Sequence, residues 1–167
     1  MDEETIPWLL EAETPSIAYL TLRDLLDLPE ENQRVMYARR AIMVEGPVPA
    51  ILAEQTDDGS WVGEQSYYTP KYTATHWSMT LLAELLVDGD DPRFRRGVEF
   101  MLGDTADSLN KRLVNDQMGW SCLYGNILRY TCRAGLSGDD RAAVLIDYIL
   151  HDMDNGVCRC DWNDGYA

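Results

Sequence analysis

Several features that mark common protein classes are missing from this sequence. It has no run of about 18 apolar residues, so no transmembrane helix is predicted. Met1 is followed by Asp-Glu-Glu, which lacks the basic and apolar parts of a secretion signal. No stretch alternates apolar and polar residues for more than a few positions, which argues against strands. Basic residues are scarce as well: 14 against 29 acidic ones give a net charge of −15, which disfavours nucleic acid as a partner.

Cysteines are few, and their number and spacing leave two uses open. Without a secretion signal we expect a cytoplasmic protein, whose cysteines remain thiols or bind a metal. Cys158 and Cys160, with His151 seven positions before the first of them, offer soft ligands for zinc. Cys122 or Cys132 would supply a fourth ligand. For Cys132, on an apolar helix, packing is the competing interpretation.

What the sequence does contain is a succession of helix patterns. With 167 residues, 46% of them hydrophobic, it is long enough for one all-α domain with a good core. The clearest helix is predicted over Tyr72 to Val87, where apolar residues form a broad stripe. The sequence Asp90-Asp91-Pro92 caps a further helix running to Leu102. The polar segment 103–119 is predicted to be mostly loop, with at most one short helix.

The helix patterns repeat. Asp139 follows Asp91 by 48 positions, and the same offset places Ile146 on Val98, so the apolar face is expected to be kept. A looser copy of the pattern covers residues 25–43. Repeated antiparallel helix pairs bury their faces by stacking on one another, either as an open solenoid or as a closed ring.

Residues 55–61, Gln-Thr-Asp-Asp-Gly-Ser-Trp, end one of these helices. Gly59 can adopt the left-handed conformation that ends a helix. The Gln55 amide can bond backbone groups at a neighbouring helix end, while Trp61 buries a large apolar face. The segment is therefore predicted to act as a clasp between helices. A decayed second clasp is predicted at 154–158, with cysteine in place of tryptophan.

The positions of Gln55, Gly59 and Trp61 resemble the Gln-x-x-x-Gly-x-Trp repeat of the triterpene cyclases, such as squalene-hopene cyclase, in the terpenoid cyclase and prenyltransferase superfamily. The resemblance implies that the helical hairpins form part of an (α/α)6 toroid around an apolar cavity, and that the motif itself is structural. It implies an isoprenoid or another apolar small molecule as the ligand, and carbocation chemistry as any reaction. About half of such a ring is present. We expect the N-terminal part of a longer protein, or else a homodimer that closes the ring.

Four aromatic or histidine residues are candidates for ligand binding. Tyr72, His76 and Trp77 begin a helix that would be an inner helix of the ring, and the 48-residue offset places Tyr124 on His76. In a ring they would line the mouth of the cavity, where they could hold a cationic or isoprenoid ligand by cation–π and apolar contacts. The competing interpretation makes Trp77 a core residue and His76 a buried hydrogen-bonding residue.

Catalytic residues remain unassigned. Asp88-Gly89-Asp90-Asp91 spells Asp-x-Asp-Asp, whose middle aspartate is the protonating acid in squalene-hopene-type cyclases, but its place before Pro92 favours a helix cap. The Asp-Asp-x-x-Asp pair that binds Mg²⁺ and diphosphate does not occur. Zinc has precedent in protein prenyltransferases and lanthionine cyclases, although their ligand motif does not carry over. Two other classes stay open: a helical-repeat module presenting an acidic surface to a basic protein, and, ranked last, an (α/α) glycosidase.

Overall fold

The computed structural model describes residues 4–61, 66–115, 119–154 and 157–158. Within these ranges the chain is helical apart from one short ladder, which confirms the all-α class. No helix there combines the length and the apolar content needed to cross a membrane. The elements in chain order are α1 (Thr5–Leu10), α2 (Pro15–Leu20), a π-helical turn (Thr21–Leu25), α3 (Gln33–Ala41), α4 (Pro47–Ala53), α5 (Thr75–Glu84), α6 (Pro92–Val114), α7 (Ser121–Arg133), α8 (Asp140–Asp152), β1 (Met153–Asp154) and β2 (Val157–Cys158).

The main hydrophobic core lies among α4 to α8. Helix α5 packs against α6 and α7, and α8 packs against α6 and α7. A smaller core joins α2, the π-helical turn and α3. The largest fully buried side chains of the main core include Tyr130, Tyr148, Phe94, Ile42, Met79, Leu82 and Met101.

Helix α6 is longer than predicted. It continues to Val114, so the prediction of a mostly irregular segment over 103–119 is wrong for its first part. Leu102, Thr105 and Leu109 are buried at helical spacing. One buried side chain per turn is enough here because α7 and α8 pack against this helix, and tertiary contacts override weak local preference.

Helix α5 is shorter than predicted at both ends. It begins at Thr75 and ends at Glu84, whereas the apolar stripe predicted Tyr72 to Val87. Tyr72 and Leu86 have φ angles of 73° and 61°, in the left-handed region that a right-handed helix cannot include.

The apolar faces of α6 and α8 are only partly equivalent. Val98 is fully buried, whereas its predicted counterpart Ile146 is 38% exposed. Leu150 and Met153 are also exposed, at 65% and 42%. The difference follows from position, since α6 is contacted by α5, α7 and α8, while α8 contacts α6 and α7.

The clasp at residues 55–61 is confirmed by its contacts. Gln55 Nε2 donates to the Arg93 carbonyl in the first turn of α6 at 2.9 Å and to the Gly59 carbonyl at 3.1 Å. Trp61 Nε1 donates to the Ile51 carbonyl of α4 at 2.7 Å. Gly59 has the predicted left-handed φ, of 94°, but it does not end the helix: α4 already ends at Ala53, and Gly59 closes a turn by donating to the Thr56 carbonyl at 3.0 Å. The end of α4 is therefore tied to the start of α6.

A short ladder follows α8, where no strand was predicted. β1 and β2 pair antiparallel, with Met153 opposite Cys158. Two residues per strand are too few for an alternating pattern to appear in the sequence. The predicted second clasp includes residues 155–156, which lie outside the described residues.

Candidate functional site

An aromatic cavity of about 370 Å³ lies at the N-terminal ends of α5 and α7. One wall comes from the loop before α5 and the first turn of that helix, and the other from the first turn of α7 and the residue preceding it. Four aromatic or imidazole rings and one cation belong to the lining. The lining residues are Tyr68, Lys71, His76, Trp77, Trp120, Cys122, Leu123 and Asn126.

Tyr68 holds the aromatic rings together. Its ring is stacked on His76 with 5.7 Å between centroids, lies 5.1 Å from Trp77, and meets Trp120 edge-on at 6.2 Å. Trp77 Nε1 donates to the Tyr68 carbonyl at 2.9 Å, which fixes the indole and satisfies its only polar group. The ring faces therefore form a preorganised apolar surface.

Lys71 places a positive charge over this surface. Its Nζ lies 5.3 Å from the centroid of the Tyr72 ring and 5.6 Å from that of Trp77. These distances fall within the range of cation–π attraction. The ammonium group is thus held beside the cavity, and Lys71 itself is exposed.

His76 is neutral at physiological pH. Its side chain is buried, and Nδ1 has no hydrogen-bond partner among the described residues. Burial lowers its pKa from 6.5 to about 4 because the imidazolium would lose its hydration. The Tyr130 hydroxyl, with its ring centroid 6.3 Å from that of His76, is buried without a partner as well, and burial raises the pKa of this phenol. Unsatisfied buried groups are rare in folded proteins, so each one calls for an explanation.

A buried carboxylate positions the second wall. Asp152, at the end of α8, accepts hydrogen bonds from Gly119 N at 3.0 Å and from the Ser121 hydroxyl. Tyr148 donates its hydroxyl to the Gly119 carbonyl. Trp120, between these two anchored residues, has a left-handed φ of 70°. The chain is thereby fixed where Trp120 enters the cavity lining.

The four predicted ligand-binding residues have different surroundings. His76 and Trp77 line the cavity. Tyr72 stands at its edge, 74% exposed, with its ring 5.4 Å from that of Trp77. Tyr124 is buried edge-on against Tyr148, 4.8 Å between centroids, and does not belong to the lining. Leu123 and Cys122, one and two positions earlier in α7, line the cavity instead.

Sequence reasoning missed Tyr68, Lys71, Trp120 and Asp152. The first two stand in the loop before α5, for which no function was predicted. A signal was available, because a lysine between paired tyrosines and a following tryptophan is a composition suited to cation–π contacts. For Trp120 and Asp152 the sequence held no such signal, because their roles depend on contacts between distant parts of the chain.

The predicted zinc site falls largely outside the described residues. His151 is exposed on α8, and Cys158 belongs to β2, but the Cys158 side chain and the whole of Cys160 are not described. Among the residues that are, no group of three or more His, Cys, Asp or Glu is placed to hold a metal. Cys122 and Cys132 are both exposed, so the interpretation of Cys132 as a packed core residue is wrong. The Cys132 side chain lies on the exposed side of α7.

The Asp-x-Asp-Asp sequence forms a helix cap. Asp91 accepts hydrogen bonds from Arg93 N at 2.8 Å and Phe94 N at 3.4 Å at the start of α6, and Arg93 also binds its two oxygens. The Arg93 guanidinium lowers the pKa of Asp91, so this carboxyl is not a proton donor at neutral pH. Asp139 makes the matching cap and arginine contacts at α8. The predicted cap is confirmed, at the end of α5 remote from the cavity.

A second cavity, of about 460 Å³, lies among α1, α2 and α3. Its wall combines small apolar side chains with Glu13, Arg34 and Glu45, and its one aromatic residue, Tyr37, is 71% exposed. No buried polar group without a partner belongs to this wall in the described residues. As a candidate ligand site, this cavity is favoured by its size alone. The aromatic cavity is favoured by its preorganised rings, by the charge of Lys71 and by the unpaired Nδ1 of His76.

Comparison with protein-family models, with curated proteins and with solved structures gives no significant match.

Proposed function

We propose that the protein binds a small, largely apolar molecule in the aromatic cavity between α5 and α7. The observation that carries this proposal is a concave wall of fixed aromatic rings around about 370 Å³, lined also by a buried histidine whose Nδ1 has no hydrogen-bond partner among the described residues. Ligand pockets are commonly of this size and composition, with apolar walls and a few polar groups.

The wider architecture we propose is part of an (α/α) toroid like that of the terpenoid cyclases and prenyltransferases. In support, α5 packs on α7 and α6 on α8, as neighbouring inner and outer helices would. The clasp at residues 55–61 links α4 to α6, and Asp91 and Asp139 cap α6 and α8 in the same way. In such a ring α5 and α7 would be inner helices, and an isoprenoid would suit the cavity at their ends.

The residues of the cavity favour ligand binding without cyclisation of the ligand. Protonation of a polyene needs a carboxylic acid in the cavity, and no acidic residue occurs among the described lining residues. Asp91 is committed to a cap and Arg93, while Asp90 is exposed and paired with Arg95 at 2.6 Å. His76 is an uncharged ring at neutral pH and a poor proton donor.

A helical-repeat module that binds another polypeptide is the second candidate. Ile146 and Leu150 are exposed four residues apart, which places them on one side of α8. Met153, which follows the helix directly in β1, is exposed as well. Val114, at the end of α6, is 86% exposed. Apolar side chains grouped in this way are suited to burial against a further helix.

Titration with farnesol, a neutral isoprenoid, tests the binding proposal by calorimetry. Trp77→Ala is expected to weaken farnesol binding at least about tenfold, since it removes most of one apolar wall. Trp8→Ala is the matched control, because Trp8 is 70% exposed on α1, away from the cavity. Circular dichroism shows whether each variant is folded, and Trp77→Phe, which keeps an aromatic face, should retain most of the affinity. Equal affinities for wild type and a folded Trp77→Ala would contradict the proposal.

A further inference from the structure

We propose that the aromatic cavity prefers a monoanionic ligand: a molecule with an apolar or aromatic body and a single carboxylate that meets Lys71. This inference rests on the proposed function, because it names the chemical class that the same cavity would take. It departs from the sequence-based expectation of a cationic or isoprenoid ligand.

The charge of the lining is opposite in sign to that of the protein. The chain carries 29 acidic and 14 basic residues, yet the described lining contains Lys71 as its one charged side chain. Because salt screens charges more strongly the farther away they are, the charge in the lining weighs most in which ligands are preferred. A ligand in the cavity therefore meets a local positive charge.

Two of the ring faces that could hold a ligand cation are already occupied by the chain itself. The Lys71 ammonium lies over the Tyr72 and Trp77 rings, 5.3 and 5.6 Å from their centroids. A cationic ligand would compete with this group for the same ring faces and be repelled by its charge. An anion instead adds an ion pair to a lysine whose side chain is already held in place.

The remaining polar groups favour a single negative charge. His76 is buried and uncharged, so it adds an aromatic wall and no second cation. Asn126 is neutral and can hydrogen-bond to a carboxylate. One ammonium balances one carboxylate, whereas a diphosphate carries more charge than this lining can compensate without a metal.

Three probes of nearly the same shape separate charge from apolar contact: naphthalene-2-carboxylate, 2-naphthylmethanol and 2-naphthylmethylammonium. Their dissociation constants for the full chain are measured by calorimetry at neutral pH. The carboxylate is expected to bind about three- to tenfold more tightly than the alcohol, as suits one partly exposed ion pair, and the ammonium more weakly than the alcohol. Geranyl diphosphate serves as the multiply charged comparison and should bind more weakly than the naphthoate.

Lys71→Met tests whether this charge is responsible. The variant should bind the carboxylate and the alcohol with similar affinity, because the methionine keeps the apolar stem and removes the charge. Lys111, the other lysine of the chain, is exposed on α6, so Lys111→Met is the matched control and should retain the preference. Lys71→Arg should retain it as well.

The outcomes separate this inference from the proposed function. Lack of binding by farnesol and by all three naphthyl probes would overturn both, whereas binding of farnesol without any naphthyl probe would overturn this inference alone. If the probes bind and require Trp77, but the alcohol or the ammonium binds as tightly as the carboxylate, the preference for an anion is wrong and the binding function stands. A carboxylate preference that persists in Lys71→Met would also overturn the inference.

Discussion

The two ends of α5 differ in how completely their polar groups are paired. At the C-terminal end, the carbonyl oxygens of residues 85–87 each accept a hydrogen bond from a side chain of another segment. The donors are Ser16 at 2.5 Å, Arg39 at 2.6 Å and Arg133 at 2.8 Å. Helix C-termini leave carbonyl groups without partners inside the helix, and basic donors there also complement the helix dipole. This end is built for stability.

At the N-terminal end of α5 the pairing is incomplete. Ala74, the N-cap residue, offers no side-chain hydrogen bond, and His76 Nδ1 is buried without a partner. Aromatic rings and a cavity stand where the other end has arginines. The difference shows that α5 is anchored at its C-terminal end. The N-terminal end can therefore carry polar groups that lack hydrogen-bond partners. We therefore expect substitutions at the two ends to separate stability from binding.

The largest effect is expected from acidification through His76. Its pKa is about 4 in the folded protein and 6.5 as the ordinary value, so the unfolded chain binds this proton more tightly. Stability should therefore be complete above pH 6.5 and fall as the pH drops towards 4, by about 3 kcal/mol from this residue. His76→Phe removes that titration, so urea unfolding at a series of pH values should show the loss in wild type and a smaller loss in the variant.

The other histidine provides the control for this experiment. His151 is exposed on α8, so His151→Phe shows what replacing an imidazole by a phenyl ring does at an exposed position. Carboxyl groups also titrate in this range, but they do so equally in all three proteins. If the free energy of unfolding fell equally with pH in wild type and His76→Phe, the buried histidine would not destabilise the N-terminal end of α5 on acidification. The proposed difference between the two ends of the helix would then be wrong.

The next effect is expected at the anchored end, from Gly89→Ala. A Cβ at Gly89 would overlap the backbone carbonyl of Arg133 at the end of α7, and neither backbone can move without disturbing the neighbouring hydrogen bonds. We expect a loss of about 2 kcal/mol in the free energy of unfolding, measured in urea. Gly138, in the equivalent loop before α8, has open space around its Cβ position, so Gly138→Ala should change stability little. Similar losses in both variants would contradict this packing argument.

Local features of the fold were predictable from sequence because their partners lie within a few residues. The cap at Asp91 needs only the backbone amides of the next turn, and the left-handed φ of Gly59 follows from its place in an Asp-Asp-Gly turn. Gln55 was harder, but an amide close to a helix end has few partners other than backbone groups. Such local contacts can be predicted without knowledge of the whole fold.

The rest of the fold and most of the site depended on contacts between distant segments. Polar residues of α6 after Gly103 lacked a strong period, and only packing against α7 and α8 keeps them helical. The cavity brings Tyr68 and Trp120 to within 6.2 Å although they are far apart in sequence. No pattern along the chain encodes such a meeting. The candidate site was therefore predicted in part, through His76 and Trp77 alone.

The smallest effect is expected from Arg39→Met, which removes one donor at the anchored end and keeps the apolar stem. Arg39 reaches from α3 to the carbonyl of Leu86, and a hydrogen bond from a charged group is worth about 1.5 kcal/mol when it is partly buried. Arg40, the next residue of α3, is exposed, so Arg40→Met should change stability by less than about 0.5 kcal/mol. Neither variant should alter farnesol binding, since neither residue lines the aromatic cavity. If Arg39→Met weakened farnesol binding as strongly as Trp77→Ala, the two ends of α5 would be coupled, and stability and binding could not be assigned to separate ends.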